Sequence, residues 1–370
     1  MNINGKHFET IYIKGGKKPV VQVIDQTLLP FRFEMKELYT VKDVFSAISD
    51  MIVRGAPLIG ATAAAGMYLS LFEFNGISGI DEYIDNTARY LVSSRPTAVN
   101  LSYSVNAMLM EIGKGVTLTD KIKLAKDAAH HIIDMERENC LRIGQFGLPV
   151  IEKIANGKRG KPVNILTHCN AGWLACIDYG TATAPIYLAH DKGINVHVWV
   201  DETRPRNQGS KLTAWELQQH GVPCTIIADN TGGHLMQHGM VDMVIVGCDR
   251  ATTNGDVANK IGTYLKALAA KDNEVPFYVA LPSSSFDWTV ADGVNEIIIE
   301  EREAEEIKYI QGIYKEEIIS MLITDIGSKA ANYAFDVTPA RLVTGLITEK
   351  GICKAEKDSI MSLFPNKKLY

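Results

Sequence analysis

Val163-Asn164-Ile165-Leu166-Thr167-His168-Cys169-Asn170-Ala171-Gly172 and Met243-Val244-Ile245-Val246-Gly247-Cys248-Asp249-Arg250 decide the reading of this chain. Each is a short apolar run that ends in a polar, glycine-bearing loop. The second continues into Asn254-Gly255-Asp256-Val257-Ala258-Asn259-Lys260. Apolar runs of this length, rich in Val and Ile and bounded by turn residues, read as buried strands. In an open α/β sheet, ligands bind in the crevice at the carboxyl ends of the strands. A thiol, Cys169, and a carboxylic acid, Asp249, are therefore expected where one small molecule can meet both.

Working outward, residues 158–370 alternate between the two periodicities. Strands are expected at 163–168, 194–200, 223–228, 241–247 and 276–281, and helices at 173–191, 212–220, 232–239 and 256–271, with a further strand at 295–300. Such alternation predicts a mainly parallel sheet with helices on its faces. Cys169, Asp201, Asp229, Asp249 and Ser283 each follow a strand and fall on one rim. Upstream, 7–14 and 18–25 flank Gly15-Gly16 as a β-hairpin. From residue 41 to 157 the pattern is helical: Thr40 caps a helix whose Val44, Ile48, Met51 and Ile52 recur at helical spacing, and Leu118 to Arg142 continues in that mode. The chain thus divides into a mostly helical N-terminal domain, 1–157, and an α/β domain, 158–370. The polar stretch Gly157-Lys158-Arg159-Gly160-Lys161-Pro162 joins them.

The composition is that of an ordinary globular protein, 46% hydrophobic and 22% charged. A net charge of -5 argues against a general nucleic-acid binder, which needs a basic face, but leaves room for an Arg or Lys cluster around one phosphate. The six cysteines show no C-x-x-C spacing, which supports neither a zinc site nor a redox motif and fits a reducing, cytoplasmic setting. The first residues hold no apolar signal core. Ala61 to Phe74, the nearest approach to a membrane span, is short and reads as a buried helix.

Several segments carry chemistry, each with a plainer alternative. Arg54-Gly55-Ala56-Pro57 precedes a helix; it either cradles a phosphate through free N–H groups and a guanidinium or is a Gly-Pro turn with a solvated arginine. Arg95-Pro96-Thr97-Ala98-Val99-Asn100 places an arginine outside a helix interior. Cys169 is either a thiolate activated by a helix N-terminus or a cation, or an inert buried thiol. His168 reads as structural. Asp201-Glu202-Thr203-Arg204-Pro205-Arg206-Asn207-Gln208-Gly209 either binds a polyol and a phosphate or is a salt-bridged loop. Asp249 is either a desolvated general acid or a partner of Arg250. Asn259 and Lys260 are expected in the first turn of a helix with Val257, Ile261, Leu265 and Leu268 as its buried stripe. Lys260 then either holds a phosphate or lies on the surface.

Together with Tyr179-Gly180-Thr181-Ala182, Ile261-Gly262-Thr263-Tyr264, Thr338-Pro339-Ala340 and Thr344-Gly345, these motifs resemble the methylthioribose-1-phosphate isomerase family, which is related to the regulatory subunits of the translation-initiation guanine-nucleotide exchange factor. The resemblance covers nearly the whole chain. It implies a small helical N-terminal domain, a Rossmann-like catalytic domain and a homodimer. It implies Cys169 and Asp249 as the catalytic pair, and Arg54, Gly55, Ala56, Arg95, Gln208, Asn259 and Lys260 as substrate-binding positions. The implied reaction turns 5-methylthioribose 1-phosphate into 5-methylthioribulose 1-phosphate, a step of methionine salvage, with a sugar phosphate as partner and neither nucleic acid nor membrane. No metal or organic cofactor is expected. Two departures stand near the pair: Ala171-Gly172-Trp173-Leu174-Ala175 where the family usually has Thr-Gly-Ala-Leu-Ala, and Cys248 where alanine is usual. They bear on the group at C5, so 5-deoxyribose 1-phosphate and ribose 1,5-bisphosphate are alternative substrates. A non-catalytic regulator is the alternative class.

Overall fold

The structure, a computed structural model, describes residues 1–3, 5–76, 79–96 and 98–367; Thr97 of the arginine-proline motif lies outside them. The hairpin expected near the start is present: β1 (Ile11–Lys14) pairs antiparallel with β2 (Val20–Ile24), and β3 (Met35–Leu38) adds a third strand. Five helices follow: α1 (Val41–Ser49), α2 (Ala56–Ser70), α3 (Ile80–Ser93), α4 (Val99–Ile112) and α5 (Leu118–Gly157). Thr40 caps α1 as read from the sequence. Its hydroxyl accepts from the Asp43 N–H while the Asp43 carboxylate accepts from the Thr40 N–H, so two otherwise orphaned donors are satisfied. α2 is buried at nearly every described position, as its run of Ala, Gly and Leu requires. Small residues let α4 and α5 approach it closely.

The remaining strands are β4 (Val163–Thr167), β5 (Val196–Asp201), β6 (Cys224–Ile227), β7 (Met243–Val246), β8 (Arg250–Thr252), β9 (Val257–Lys260), β10 (Phe277–Ala280), β11 (Tyr309–Tyr314), β12 (Glu317–Leu322), β13 (Phe335–Thr338), β14 (Gly345–Thr348) and β15 (Gly351–Cys353), apart from two-residue pieces. Seven form one sheet in the order β15-β14-β10-β7-β4-β5-β6. Six run parallel, and β15 closes one edge antiparallel. α6 (Ala184–Asp191), α7 (Ala214–His220), α8 (Thr231–Gln237) and α9 (Thr263–Asp272) cover its faces. Burial on both faces explains why β4 and β7 read as nearly continuous apolar runs rather than as alternating ones.

α5 ties the molecule together. Its first half contributes Ala125, Ala129, Ile132 and Ile133 to the core shared with α2 and α4, while Ile143 and Ile151 of its second half lie in the core beneath the sheet. One 40-residue helix therefore belongs to both cores.

Three expectations are corrected. The segment 256–271 is not one helix: Val257–Lys260 is strand β9, paired with β8 and β13, and α9 begins only at Thr263. Leu265, expected in a buried stripe, is 64% exposed. Gly255 and Gly262, both at positive φ, set the limits of that strand, and alternating Val257, Asn259 and Ala258, Lys260 also fit a strand's period of two. The segment 173–191 is a 3₁₀ turn, Trp173–Ala175, followed after an irregular stretch by α6, because Tyr179 and Gly180 adopt positive φ. Residues 295–300 hold the end of a single helical turn, Gly293–Glu296, rather than a strand; the Asp292 side chain caps it through the Asn295 N–H. No helix among the described residues is long and apolar enough to cross a membrane.

Thr117 makes the same reciprocal cap for α5 that Thr40 makes for α1, and it is exposed. Thr117→Ala is expected to lower the unfolding free energy by about 1 kcal/mol with an unchanged denaturant slope, as measured by urea titration. An unaltered midpoint would show that the cap carries no stability.

Candidate active site

From β4 the chain moves outward through β5 to β6, then returns to the other side of β4 to make β7 and continues outward through β10 to β14. The order of the strands reverses between β4 and β7, which pair directly through Ile165 with Met243 and Leu166 with Val244. At such a reversal the two following loops turn away from each other and leave a crevice. Cys169 follows β4 and Asp249 follows β7.

Cys169 sits at φ +66°, an uncommon conformation for a side-chain-bearing residue that costs on the order of 1 kcal/mol or more. The neighbours enforce it. The Cys169 N–H donates to Thr203 Oγ1 at 2.8 Å, its carbonyl accepts from Thr213 Oγ1 at 2.6 Å, and Sγ lies 3.5 Å from Gln208 Oε1. His168 turns the opposite way into a buried pair: Nδ1 is 2.8 Å from Asp201 Oδ2 and Nε2 2.8 Å from the Ile261 carbonyl. Both ring nitrogens are thus taken up by partners beneath the rim, while the residue also lines the chamber described below. His168, Asp201 and Asp229 lie close enough to hold a metal ion, but the Lys266 ammonium stands 3.0 Å from Asp201 Oδ2 and also donates to the Asp229 carbonyl. The cluster is an ion pair beneath the sheet rim.

The other wall comes from the helical half. Gly55 precedes α2 at φ +89°, and a Cβ there would lie 2.4 Å from the Ala175 carbonyl oxygen, so only glycine fits. Pro57 stands in the first turn of α2. Arg54 is buried and clasps Asn170 with both terminal amino groups: Nη1 donates to Oδ1, and Nη2 to the carbonyl oxygen at 2.6 Å. Arg95 reaches in from the turn after α3, its Nη2 3.5 Å from Glu300. The Nε atoms of both arginines are buried and meet no acceptor among the described residues. Lys260, on β9, is buried against the Phe335 ring at 4.8 Å from its centroid. Asn259 Nδ2 donates to Thr263 Oγ1 at 3.0 Å.

All nine residues singled out in the sequence, Arg54, Gly55, Ala56, Arg95, Cys169, Gln208, Asp249, Asn259 and Lys260, line one chamber of about 50 Å³. Of the charged loop 201–209, Gln208 lines it. Asp201 binds His168 and Lys266, Arg206 pairs with Glu306 at 2.8 Å, and Arg204 donates to the Ile307 carbonyl. Asp249 is free of Arg250, which pairs instead with Asp287. Sequence reasoning missed Met51, Pro282 and Phe335, which also line the chamber. Nothing local marks them; they arrive by the pairing of β13 with β9 and by the turns after α1 and β10.

Electrostatics favour the proton-bearing forms of the central pair. Burial pushes the Cys169 thiol up, with Arg54 and Lys260 pulling it back. The activated thiolate of a helix N-terminus is thus not what forms here: no helix begins at Cys169, and desolvation outweighs the nearby cations. Burial likewise holds the Asp249 carboxyl above the usual carboxylate range against Lys260, Arg95 and Arg54, and it lowers Lys260. A buried acid whose burial favours the protonated form, beside three basic side chains and two unmet N–H donors, suits an anionic ligand whose reaction needs a proton delivered.

Two recesses adjoin the chamber. One, about 40 Å³, lies beside Asp249 and is lined by Ile59, Ala98, Ile297, Ile299 and Phe335. The other, about 420 Å³, shares Met51, Arg54 and Gln208 with the chamber and extends to Lys211 and the β11-β12 hairpin, where Lys211 Nζ meets Gln311 Oε1 at 2.5 Å. Burial and Arg206 lower Lys211 to about 8.

Because the folded value of Asp249 lies above the unfolded one, its contribution to stability is fully present below about pH 4 and is lost as pH rises through the folded value. Asp249→Asn should therefore gain stability relative to the parent as pH rises from 4 to 8, as read by urea denaturation. A difference that stays flat or shrinks overturns the assignment of a destabilised carboxylate.

Residues 52–355 match the model of the initiation factor 2 subunit family. The chain is 58% identical to a methylthioribose-1-phosphate isomerase of Desulfatibacillum aliphaticivorans over 99% of this chain and 100% of that one. Among solved structures it is similar to 5-methylthioribose 1-phosphate isomerase from Pyrococcus horikoshii OT3, with a TM-score of 0.82, 36% identity, and 98% and 97% of the two chains covered. It is also similar to the translation initiation factor eIF-2B subunit delta from A. fulgidus, with a TM-score of 0.79, 35% identity, and 97% and 100% covered.

Proposed function

The chain belongs to the methylthioribose-1-phosphate isomerase family and carries the initiation factor 2 subunit domain, and from that premise we propose that it converts 5-methylthioribose 1-phosphate to 5-methylthioribulose 1-phosphate, with Cys169 and Asp249 as its catalytic residues. One observation carries the assignment of residues: a buried thiol and a buried carboxyl stand at the sheet's reversal point, facing Arg54, Arg95 and Lys260 in a single chamber.

The phosphate on the anomeric carbon prevents the sugar from opening to a free aldehyde, so the bond from C1 to the ring oxygen must break with the phosphate in place. Arg54, Arg95, Lys260 and the N–H groups at the start of α2 hold that phosphate. Asp249 donates its proton to the ring oxygen as the bond breaks, leaving a hydroxyl at C4 and positive charge at C1. Hydrogen then moves from C2 to C1. The O2 proton passes to the Asp249 carboxylate as the C2 carbonyl forms, which restores the acid and leaves a balanced isomerisation. A protonated thiol does not abstract a proton from carbon, and burial keeps Cys169 protonated. This supports a direct hydride shift, with Cys169 and Gln208 packing the reacting carbons and excluding water. The alternative, Cys169 thiolate as the base at C2, requires the thiol to lose its proton on substrate binding.

The apolar recess beside Asp249 favours a methylthio group at C5 over a phosphate. Arg250, at its edge, already has the Asp287 carboxylate as its partner. A bare methyl, as in 5-deoxyribose 1-phosphate, fills less of it. A regulatory role without catalysis has no need of both reactive side chains. We further read residues 1–157 and 158–370 as two domains that close on the chamber, and the protein as a cytoplasmic homodimer, by likeness to the family.

Cys169→Ser and Asp249→Asn should each reduce kcat by about 100- to 10,000-fold or more while keeping the fold; near-parental turnover in either folded variant overturns the pair. For the parent, kcat/KM should fall from the 5-methylthio to the 5-deoxy sugar by about 10- to 100-fold, as expected for loss of a small apolar contact, and further for the 1,5-bisphosphate. Equal or reversed preference removes the recess from substrate recognition. Turnover in deuterated water should leave C1 of the product without deuterium; substantial incorporation excludes the direct shift.

A further inference from the structure

Glu216 is a fully buried acid that touches neither chamber nor solvent. It lies in α7, directly after the irregular turn Gly209–Thr213, and its carboxyl is the meeting point of three donors from three separate segments. Oε2 accepts from Asn170 Nδ2 at 3.2 Å and from the Leu174 N–H at 3.3 Å; Oε1 accepts from the Tyr187 hydroxyl at 3.0 Å. An ionised carboxylate only accepts, so the three donors fit the charged form. Burial pushes the group up to about 7, with those donors and Arg54 opposing. Gly172 interlocks with it: a Cβ at that position would lie 1.3 Å from Glu216 Oε1. Thr213, from the turn preceding α7, takes the Cys169 carbonyl and accepts from Asn170 Nδ2 at 3.1 Å.

We propose that Glu216 is the positioning residue of the active site, a buried anion that fixes Asn170 and through it both Arg54 and the strained backbone of Cys169. The chain of contacts is short. Glu216 and Thr213 orient the Asn170 amide. Asn170, with its side-chain and main-chain oxygens, holds both terminal amino groups of Arg54 and so aims the guanidinium into the chamber. Cys169 is joined to Asn170 by one peptide bond and tied to the same Thr213. Glutamine at 216 keeps the shape but removes the charge and leaves one acceptor oxygen. Its NH₂ group either faces the Asn170 and Leu174 donors or turns to the Tyr187 hydroxyl, which can accept as well as donate, so neutral hydrogen bonds replace charge-assisted ones. Either way the hold on Asn170, and through it on Arg54, weakens.

The inference rests on the proposed roles of Cys169 and Arg54, but its test includes a readout that needs no substrate. Glu216→Gln is compared with the parent in kcat/KM for 5-methylthioribose 1-phosphate and in the rate and pH midpoint of Cys169 alkylation by iodoacetamide, followed by peptide mass spectrometry; the thermal midpoint is measured alongside. The charged groups facing the Cys169 thiol are Arg54, Lys260 and Asp249. Loosening Arg54 removes a cation that lowers the thiol's titration, so the alkylation midpoint should move upward. Loss of stability alone leaves that midpoint in place. The expected loss in kcat/KM is about 100-fold, typical of a small misplacement at a distance from the chemistry. Tyr187→Phe, which deletes one donor and adds no clash, should show the same shifts with smaller amplitude, and it decides the matter if Glu216→Gln does not fold. Parental alkylation midpoints in the folded variants overturn the proposal. If the parent fails to turn the sugar over while the midpoints shift as expected, the substrate assignment falls and the positioning role stands.

Discussion

The Arg54 guanidinium crosses from the loop before α2 to Asn170 in the loop after β4, and both ends of this contact are buried. It joins the helical half to the rim of the sheet at the point where the strand order reverses. A buried cation needs partners, and the two Asn170 oxygens supply them without neutralising it, so the positive charge remains available to an anion. Gly55 and Ala56 follow Arg54 directly and are carried to the chamber by the same contact. The chamber is therefore a seam, with the Cys169-bearing loop on one side and the Arg54-Gly55-Ala56 segment on the other.

Desolvation sets the character of that seam. In water, Cys169 and Asp249 would sit on opposite sides of neutrality, the thiol protonated and the carboxyl charged. Burial raises both, and the surrounding cations reduce the effect without reversing it. Burial thus works against ionisation of both groups that face each other across the chamber. The same burial lowers Lys260, while Cys169 and Asp249 raise it, so the three groups share one electrostatic balance. An incoming phosphate dianion alters that balance for all of them at once.

Much of this was legible in the sequence, for physical reasons. Strands buried on both faces announce themselves as unbroken runs of Val, Ile and Leu, and β4 and β7 do so. The polar residue that ends such a run is at the sheet's rim by necessity, which is why Cys169 and Asp249 could be paired before any coordinates. Helix caps at Thr40 were readable because the cap is made within four residues. What was misread lies where tertiary pairing overrides local pattern. Val257 to Lys260 has apolar spacing that suits a helix, yet its neighbours β8 and β13 complete its hydrogen bonds as a strand. Trp173 to Asp191 contains a turn held by positive φ at Tyr179, a cost recovered through contacts distant in the chain. Met51 and Phe335 carry no local mark of their place in the chamber. Glu216 carries no local mark of burial; its three donors, contributed from 170, 174 and 187, are what place it in the interior.

The adjacency of β4 and β7 has one more consequence. Neighbouring strands in a sheet stand about 4.8 Å apart, a distance fixed by backbone hydrogen bonds and indifferent to side chains. Cys169 and Asp249 lie in the loops that leave two such neighbours at Thr167 and Val246, so the interval from which those loops start is governed by a ruler built into the polypeptide itself. Loops at the outer strands, the β11-β12 hairpin and the apolar recess can lengthen, shrink or change character without altering that interval. A scaffold of this kind lets the ends of a ligand be renegotiated while the atoms between the thiol and the acid stay in register.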